Sequence, residues 1–369
     1  MLIIDGDYPM AHGGVSFERD LTLPIEETRT EPILPHRHSD WDTSRSGTMA
    51  SIPEMRKAEI AVALVKISDN CILRPGNDHG AFNTDHHSYS NGMSQLAYYQ
   101  ILETMGHSKL LKTSKEFKKH MSIWENATDY GDLPVGMVLG MEGADPIVWP
   151  EQLHEWFEQG LRVISLSHYG VSRYSHGTGT GLDGGLLEPG KGLLTEMEKL
   201  GIILDVSHTS DESVKQELDM WNGPVLASHQ NCRSICPGER QFPDHQIKRI
   251  IERGAVIGHS MDTHMLWPNG IDWQNIPKKA PFQKTDVTLE NFVDHIDHVC
   301  QLAGNSLHSA IGGDTDGQGG AQHAPLEIDT VADYQKVANV MVDRGYSTVD
   351  VENVMWRNWN RFFEENLPG

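Results

Sequence analysis

Acids and imidazoles in this chain sit at or just beyond the ends of short apolar runs. Asp5 closes Leu2–Asp5, and Asp7 lies two residues on. Glu142 follows Val135–Met141, His168 follows Leu161–Leu166, and His208 follows Ile202–Val206. His229 follows Val225–Ala227, His259 and Asp262 follow Ala255–Gly258, and Asp314 and Asp316 follow Ala310–Gly312. One Glu and two His from separate strands match a Zn²⁺ site that keeps an open coordination position for water. The ion would acidify that water to a pKa of about 7, and a neighbouring Asp would take its proton. A lone His in such a place is more often structural. Three or more, with a Glu and an Asp, read as a site rather than a polar rim.

The apolar runs, with Glu59–Ile67 added, are continuous and rich in Val, Ile and Leu. That pattern belongs to strands buried on both faces. Between them, Met93–Met105, Pro150–Gln159, Leu193–Leu200, Glu212–Met220, Asp244–Arg253 and Leu289–Ala303 carry apolar residues at helical spacing. Ser210 and Thr288 stand where N-caps belong, and Gly160, Gly201 and Gly254 where left-handed C-caps belong. Eight βα units predict a (β/α)8 TIM barrel, an α/β fold whose chemistry lies at the C-terminal ends of its strands. No linker divides the chain, so residues 1–369 are expected to form a single domain. The irregular stretches 10–53 and 262–286 each follow a strand and are expected to cover the active site. Gly177–Gly185 lacks the Lys of a phosphate-binding loop and is expected to be a flexible loop beside that site.

Composition narrows the class. At 38% hydrophobic and 22% charged residues, 369 residues can build a large core and do not read as disordered. Lys and Arg total 30 against 52 Asp and Glu, a net charge of −22, which argues against nucleic acid or an anionic membrane as partner. No apolar run is long enough for a transmembrane segment. The opening Met1-Leu2-Ile3-Ile4-Asp5 reads as a strand rather than a signal peptide. Cys232 and Cys236 lack CxxC spacing, and Cys71 and Cys300 stand alone. Four reduced thiols and no leader give a cytoplasmic expectation.

The motifs resemble those of the membrane dipeptidase (renal dipeptidase) family, zinc barrels of the amidohydrolase superfamily. Gly140-Met141-Glu142-Gly143 resembles its G-x-E-G segment, whose Glu bridges two zinc ions. Asp205-Val206-Ser207-His208 and Pro224-Val225-Leu226-Ala227-Ser228-His229 resemble its two zinc-ligating His segments. Glu239-Arg240-Gln241-Phe242-Pro243-Asp244 resembles R-R-N-x-P-D, whose second Arg holds the substrate carboxylate. Ser165-Leu166-Ser167-His168 resembles T-L-T-H, whose His contacts substrate near the scissile group. His295-Ile296-Asp297-His298 with Gly312-Gly313-Asp314-Thr315-Asp316-Gly317 resembles the D-H-I-D-H…G-x-D-F-D-G pair. Asn358-Trp359-Asn360-Arg361 resembles the C-terminal N-x-x-R helix. The matches run in family order from residue 2 to residue 366.

Two departures stand out. The family opens D-G-H-x-D, and its His and Asp supply one zinc site; here Asp7 replaces the His and Pro9 the Asp. After the seventh strand, Gly258-His259-Ser260-Met261-Asp262 replaces an N-F-Y-like segment. The resemblance therefore implies one zinc ion on Glu142, His208 and His229, with Asp7 as an oxygen ligand and a second ion weak or absent. Asp314 is then the catalytic acid/base, His168 a catalytic and substrate-binding residue, and Arg240 the carboxylate grip. The implied activity is hydrolysis of a dipeptide or small acyl-amino acid by a metal-activated water, in a possible homodimer. The alternatives are hydrolysis of another small amide or ester, or a catalytically inactive barrel that binds a small ligand.

Overall fold

The computed structural model describes residues 1–30, 46–68, 84–182, 184–276, 280–316 and 320–369. Cys71 and Gly317, named above, lie outside the described residues. Among the described residues there are nine strands: β1 Ile3–Tyr8, β2 Ile60–Ser68, β3 Ser108–Leu110, β4 Val135–Glu142, β5 Leu161–Ser165, β6 Ile203–Asp205, β7 Val225–Leu226, β8 Ile257–His259 and β9 Ser309–Ile311. Every pairing between them is parallel. The order is β1-β2-β4-β5-β6-β7, followed by the pair β8-β9.

Two sets of contacts close the ring. Ala227 bridges Ile257 in parallel, and Gly258 N donates to Ala227 O at 2.8 Å. At the other seam Asp314 N donates to Asp7 O at 3.1 Å, and Gly313 N to Asp5 Oδ1 at 2.8 Å. Eight strands thus circle a (β/α)8 barrel, as the apolar runs predict. The ninth, β3, was not predicted; it pairs with the first part of β4, and β5 pairs with the later part. β4 is buried along its whole length, and β2 along all but Ser68, which explains their unbroken apolar sequence.

The predicted helices form at Asp85–Thr104, Leu153–Gln159, Glu188–Leu200, Asp211–Met220, Asp244–Glu252 and Leu289–Ala303. Ser210 caps its helix by accepting from Ser213 N at 3.3 Å. Gly160, Gly201 and Gly254 take φ of 115°, 68° and 75°, the left-handed values that favour glycine. The stretch expected to be irregular over 10–53 carries helices at Ile25–Thr30 and from Ile52, the latter capped by Ser51. The run from Gly177 is pinned rather than loose: Tyr169 bridges Thr178, and Gly177 bridges Thr209. Cys232, Cys236 and Cys300 are free thiols.

Candidate metal centre

β4, β6 and β7 each deliver one side chain to a common point. Glu142 is the last residue of β4, His208 lies three residues past β6, and His229 three past β7. Glu142 Oε1 is 3.2 Å from His208 Nε2 and 3.2 Å from His229 Nε2, and the two Nε2 atoms are 2.8 Å apart. All three side chains are buried. Two ligands held about 2.0–2.1 Å from a tetrahedral ion lie about 3.4 Å apart, so the triangle has the dimensions of a zinc-type site.

Proton accounting supports the same fit. Arg240 Nη2 also lies 3.0 Å from His208 Nε2, and Glu142 Oε1 has no hydrogen-bond partner among the described residues. A buried oxygen without a hydrogen bond, facing two imidazole nitrogens, is the arrangement a bound cation would satisfy. His208 takes φ of 63°, left-handed backbone that costs a non-glycine residue energy and recurs at functional sites.

Charge fixes the protonation states. Burial opposes ionisation of Glu142, but His168, His229, Lys66 and Arg240 outweigh it and hold the carboxyl at about 2. Burial and the Arg240 charge push His208 well below the ordinary imidazole range, leaving it neutral and fit to ligate. Burial also works against the His229 cation, yet Asp7 and Glu142 outweigh it and raise this imidazole.

The remaining sequence candidates sort around the triangle. His168 is half-buried, its Nε2 3.9 Å from Glu142 Oε2 and its ring edge-on to His208. Asp7 stands behind His229, with Oδ1 3.1 Å from Nδ1, the ring nitrogen opposite the one facing Glu142. Asp7, His229 and Asp314 bring ligand atoms within 4.8 Å of one another. Asp314 has φ of 55° and accepts from Ser260 Oγ at 3.1 Å. Burial raises its carboxyl to about 7, helped by Asp7, Asp262 and Glu142. Arg240 is wholly buried; it donates to Gln230 Oε1 at 2.6 Å and to His229 O at 3.1 Å.

Two strand-end residues play other parts. His259 packs in the interior, near Ser309 Oγ at 3.3 Å. Asp316 accepts from Met49 N at 3.0 Å and Ala50 N at 3.3 Å and pairs with Arg19 at 3.4 Å. It ties the segment after the first helix to the barrel.

The sequence reading missed Lys66. Its Nζ is wholly buried, 2.6 Å from Asp205 Oδ2, 3.0 Å from Ser228 Oγ and 3.2 Å from Asp7 Oδ1. Burial opposes the charge, and Asp205, Asp7 and Glu142 outweigh it, so the ammonium stays protonated. A fixed cation thus stands below the centre, against the residue that replaces the expected His. A lone Lys inside an apolar run was the available signal.

A cavity of ≈ 410 Å³ opens beside the centre, walled by Thr178, Leu182, Asp211, Glu239 and Trp273. Thr178 N donates to His208 O at 2.8 Å, which joins its wall to the triangle.

Known proteins resemble this chain over much of its length. Dipeptidase tcpJ of Claviceps purpurea is 31% identical over 211 residues, 56% of this chain and 45% of its own length. An uncharacterized dipeptidase of Schizosaccharomyces pombe, C3A11.10c, is 26% identical over 227 residues, 61% of this chain and 51% of its own. The chain thus spans about half the length of these relatives. A metallopeptidase from Rhodobacter sphaeroides, solved with a phosphinate mimic of the dipeptide L-Ala-D-Ala, superposes with a TM-score of 0.75 at 18% identity, covering 100% of this chain and 99% of that one. That likeness establishes the fold. The family model for membrane dipeptidase, peptidase family M19, matches residues 33–367, and to that family this chain belongs.

Proposed function

We propose that the chain is a zinc-dependent dipeptidase, cleaving the amide bond of a dipeptide or a similar small acyl-amino acid with a free carboxylate. The observation that carries this reading is the buried Glu142–His208–His229 triangle at the strand ends of the barrel. The dipeptide mimic bound by the Rhodobacter protein and the dipeptidase names of the relatives support the substrate class.

Glu142, His208 and His229 would hold the ion, which when bound supplies Lewis-acid activation of water and of a carbonyl oxygen. Asp314, raised by burial, takes a proton from the attacking water and passes it to the leaving amine. His168 reaches the same space from β5 and donates a hydrogen bond to the carbonyl oxygen as negative charge develops there. Arg240 turns its guanidinium from Gln230 and His208 to the substrate carboxylate, which its planar fork matches.

His229→Ala tests the reading. Metal content by elemental mass spectrometry and turnover of a panel of dipeptides should both fall, turnover by at least about 10³-fold. Native protein that takes up no metal, or an H229A variant that keeps native turnover, overturns it.

A further inference from the structure

We propose that Asp262, His264 and His323 form a second metal site, for a divalent transition ion of the zinc class, beside the barrel mouth. The three offer ligand atoms within 4.8 Å of one another and share no residue with the Glu142 triangle. Asp262 Oδ1 is 2.9 Å from His264 Nδ1, which is 3.3 Å from His323 Nδ1.

Hydrogen bonding alone satisfies this arrangement poorly. An imidazole Nδ1 carries either one hydrogen or one lone pair. If His264 Nδ1 donates to Asp262, its one hydrogen is spent, and His323 Nδ1 faces a nitrogen with no lone pair. If it keeps its lone pair for a donor on His323, it turns that lone pair on the Asp262 carboxylate. A cation between the three atoms meets all of them at once. His264 is 1% exposed, and its Nε2 has no partner among the described residues, so its polar engagement runs through Nδ1.

The surroundings are built for such a site. Asp262 Oδ1 also accepts from His264 N at 2.9 Å, which fixes the turn Thr263–Met265 that presents both ligands. Phe282 packs edge-on to the His264 ring at 5.7 Å, giving one apolar wall. On the other side lies a cavity of ≈ 20 Å³ lined by Asp262, His323, Asp314 and Met261. That space admits one water, enough to complete a three-ligand site. Two imidazoles and one carboxylate favour zinc-type ions over calcium or magnesium, which take mostly oxygen ligands. An ion here staples the turn after β8 to the turn Ala321–His323, fixing the wall next to Asp314.

The test is isothermal titration of chelator-stripped full-length protein with Zn²⁺ alone, backed by elemental analysis. Native protein should bind two ions, and His323→Ala and His229→Ala one each. His264→Gln, which keeps bulk in a buried position, should match H323A. Retention of native stoichiometry by both H323A and H264Q overturns this site and leaves the Glu142 centre untouched. Loss of an ion in H323A but none in H229A supports this site and sinks the central one. A native protein that binds a single ion, lost in H229A and kept in H323A, likewise overturns the proposal.

Discussion

Glu142, Asp7 and Asp205 crowd three buried carboxyls around the centre with Asp314 half-buried beside them, and Lys66 and Arg240 bring two fixed cations. Burial, helped by the nearby Asp7, Asp262 and Glu142 and opposed by His229, raises the Asp314 carboxyl to about 7. That sets its expected behaviour. A general base works ionised, so activity should rise with pH along an acid limb above the ordinary carboxylate range. Asp314→Asn should keep its metal, lose the limb and lower kcat by about 10²–10⁴-fold. Elemental analysis with a pH–rate profile checks this, and a D314N enzyme with native kcat refutes the role. Glu142, His208 and His229 were legible because each lies within two residues of the end of an apolar strand run. Lys66 was passed over because one charge in such a run carries no periodic signal. Asp262, His264 and His323 were not legible as a set, since the two imidazoles stand 59 positions apart with no pattern between them that brings them together.

At the scale of elements, the strands were readable because both faces are buried, and their turns because glycine marks the left-handed caps. β3 was missed because Ser-Lys-Leu is short and exposes its Lys. The helix Ser114–Glu125 was missed although Phe117, Met121 and Trp124 recur at helical spacing and Thr113 with Glu116 forms a capping box. Its neighbour lysines masked the stripe. The helix Asp211–Met220 carries a different kind of information. It turns Glu217 inward, where Oε1 accepts from Ser175 Oγ at 2.9 Å and Oε2 has no partner among the described residues. Burial raises this carboxyl from 4.5 to about 8. In the unfolded chain it ionises near its ordinary value. Between those two pH values unfolding releases a proton, so the stability that the neutral form contributes is complete below about 4.5 and declines up to about 8. The slope is at most about 1.4 kcal/mol per pH unit. Glu217→Gln, neutral at every pH, should flatten that decline. Chemical denaturation at pH values across this window measures it, and equal slopes in native and E217Q protein would show that Glu217 is not its source.

The whole molecule depends on one seam, where the first strand meets the last. β1 carries Asp7 and the segment after β9 carries Asp314, so the closure that joins them also sets the far side of the centre. Backbone hydrogen bonds there are few, and the C-terminal helix Asn358–Asn366 supplies the packing that holds them. Trp359 is wholly buried, donates Nε1 to Ile311 O at 2.8 Å and stacks on Phe363 at 5.6 Å. Its ring lies so close to Gly6 that a Cβ there would sit 2.5 Å from Cζ2, which explains a glycine between the two acids of β1. Trp359→Ala removes the largest side chain at the seam and strands a buried carbonyl, at a cost of about 3–5 kcal/mol. The thermal midpoint should fall by several degrees, and a fall under about 2 °C would mean that the seam does not rely on this helix. The metal should respond differently from the fold. Glu142, His208 and His229 stand on β4 and past β6 and β7, strands that do not form the seam, and only His229 touches it, through Asp7, whereas Asp314 stands on it. On the proposed roles, zinc uptake should therefore survive in W359A while turnover drops, because Asp314 is displaced while Glu142, His208 and His229 stay in place. Uptake lost together with turnover would mean that the seam and the ligand set move as one unit.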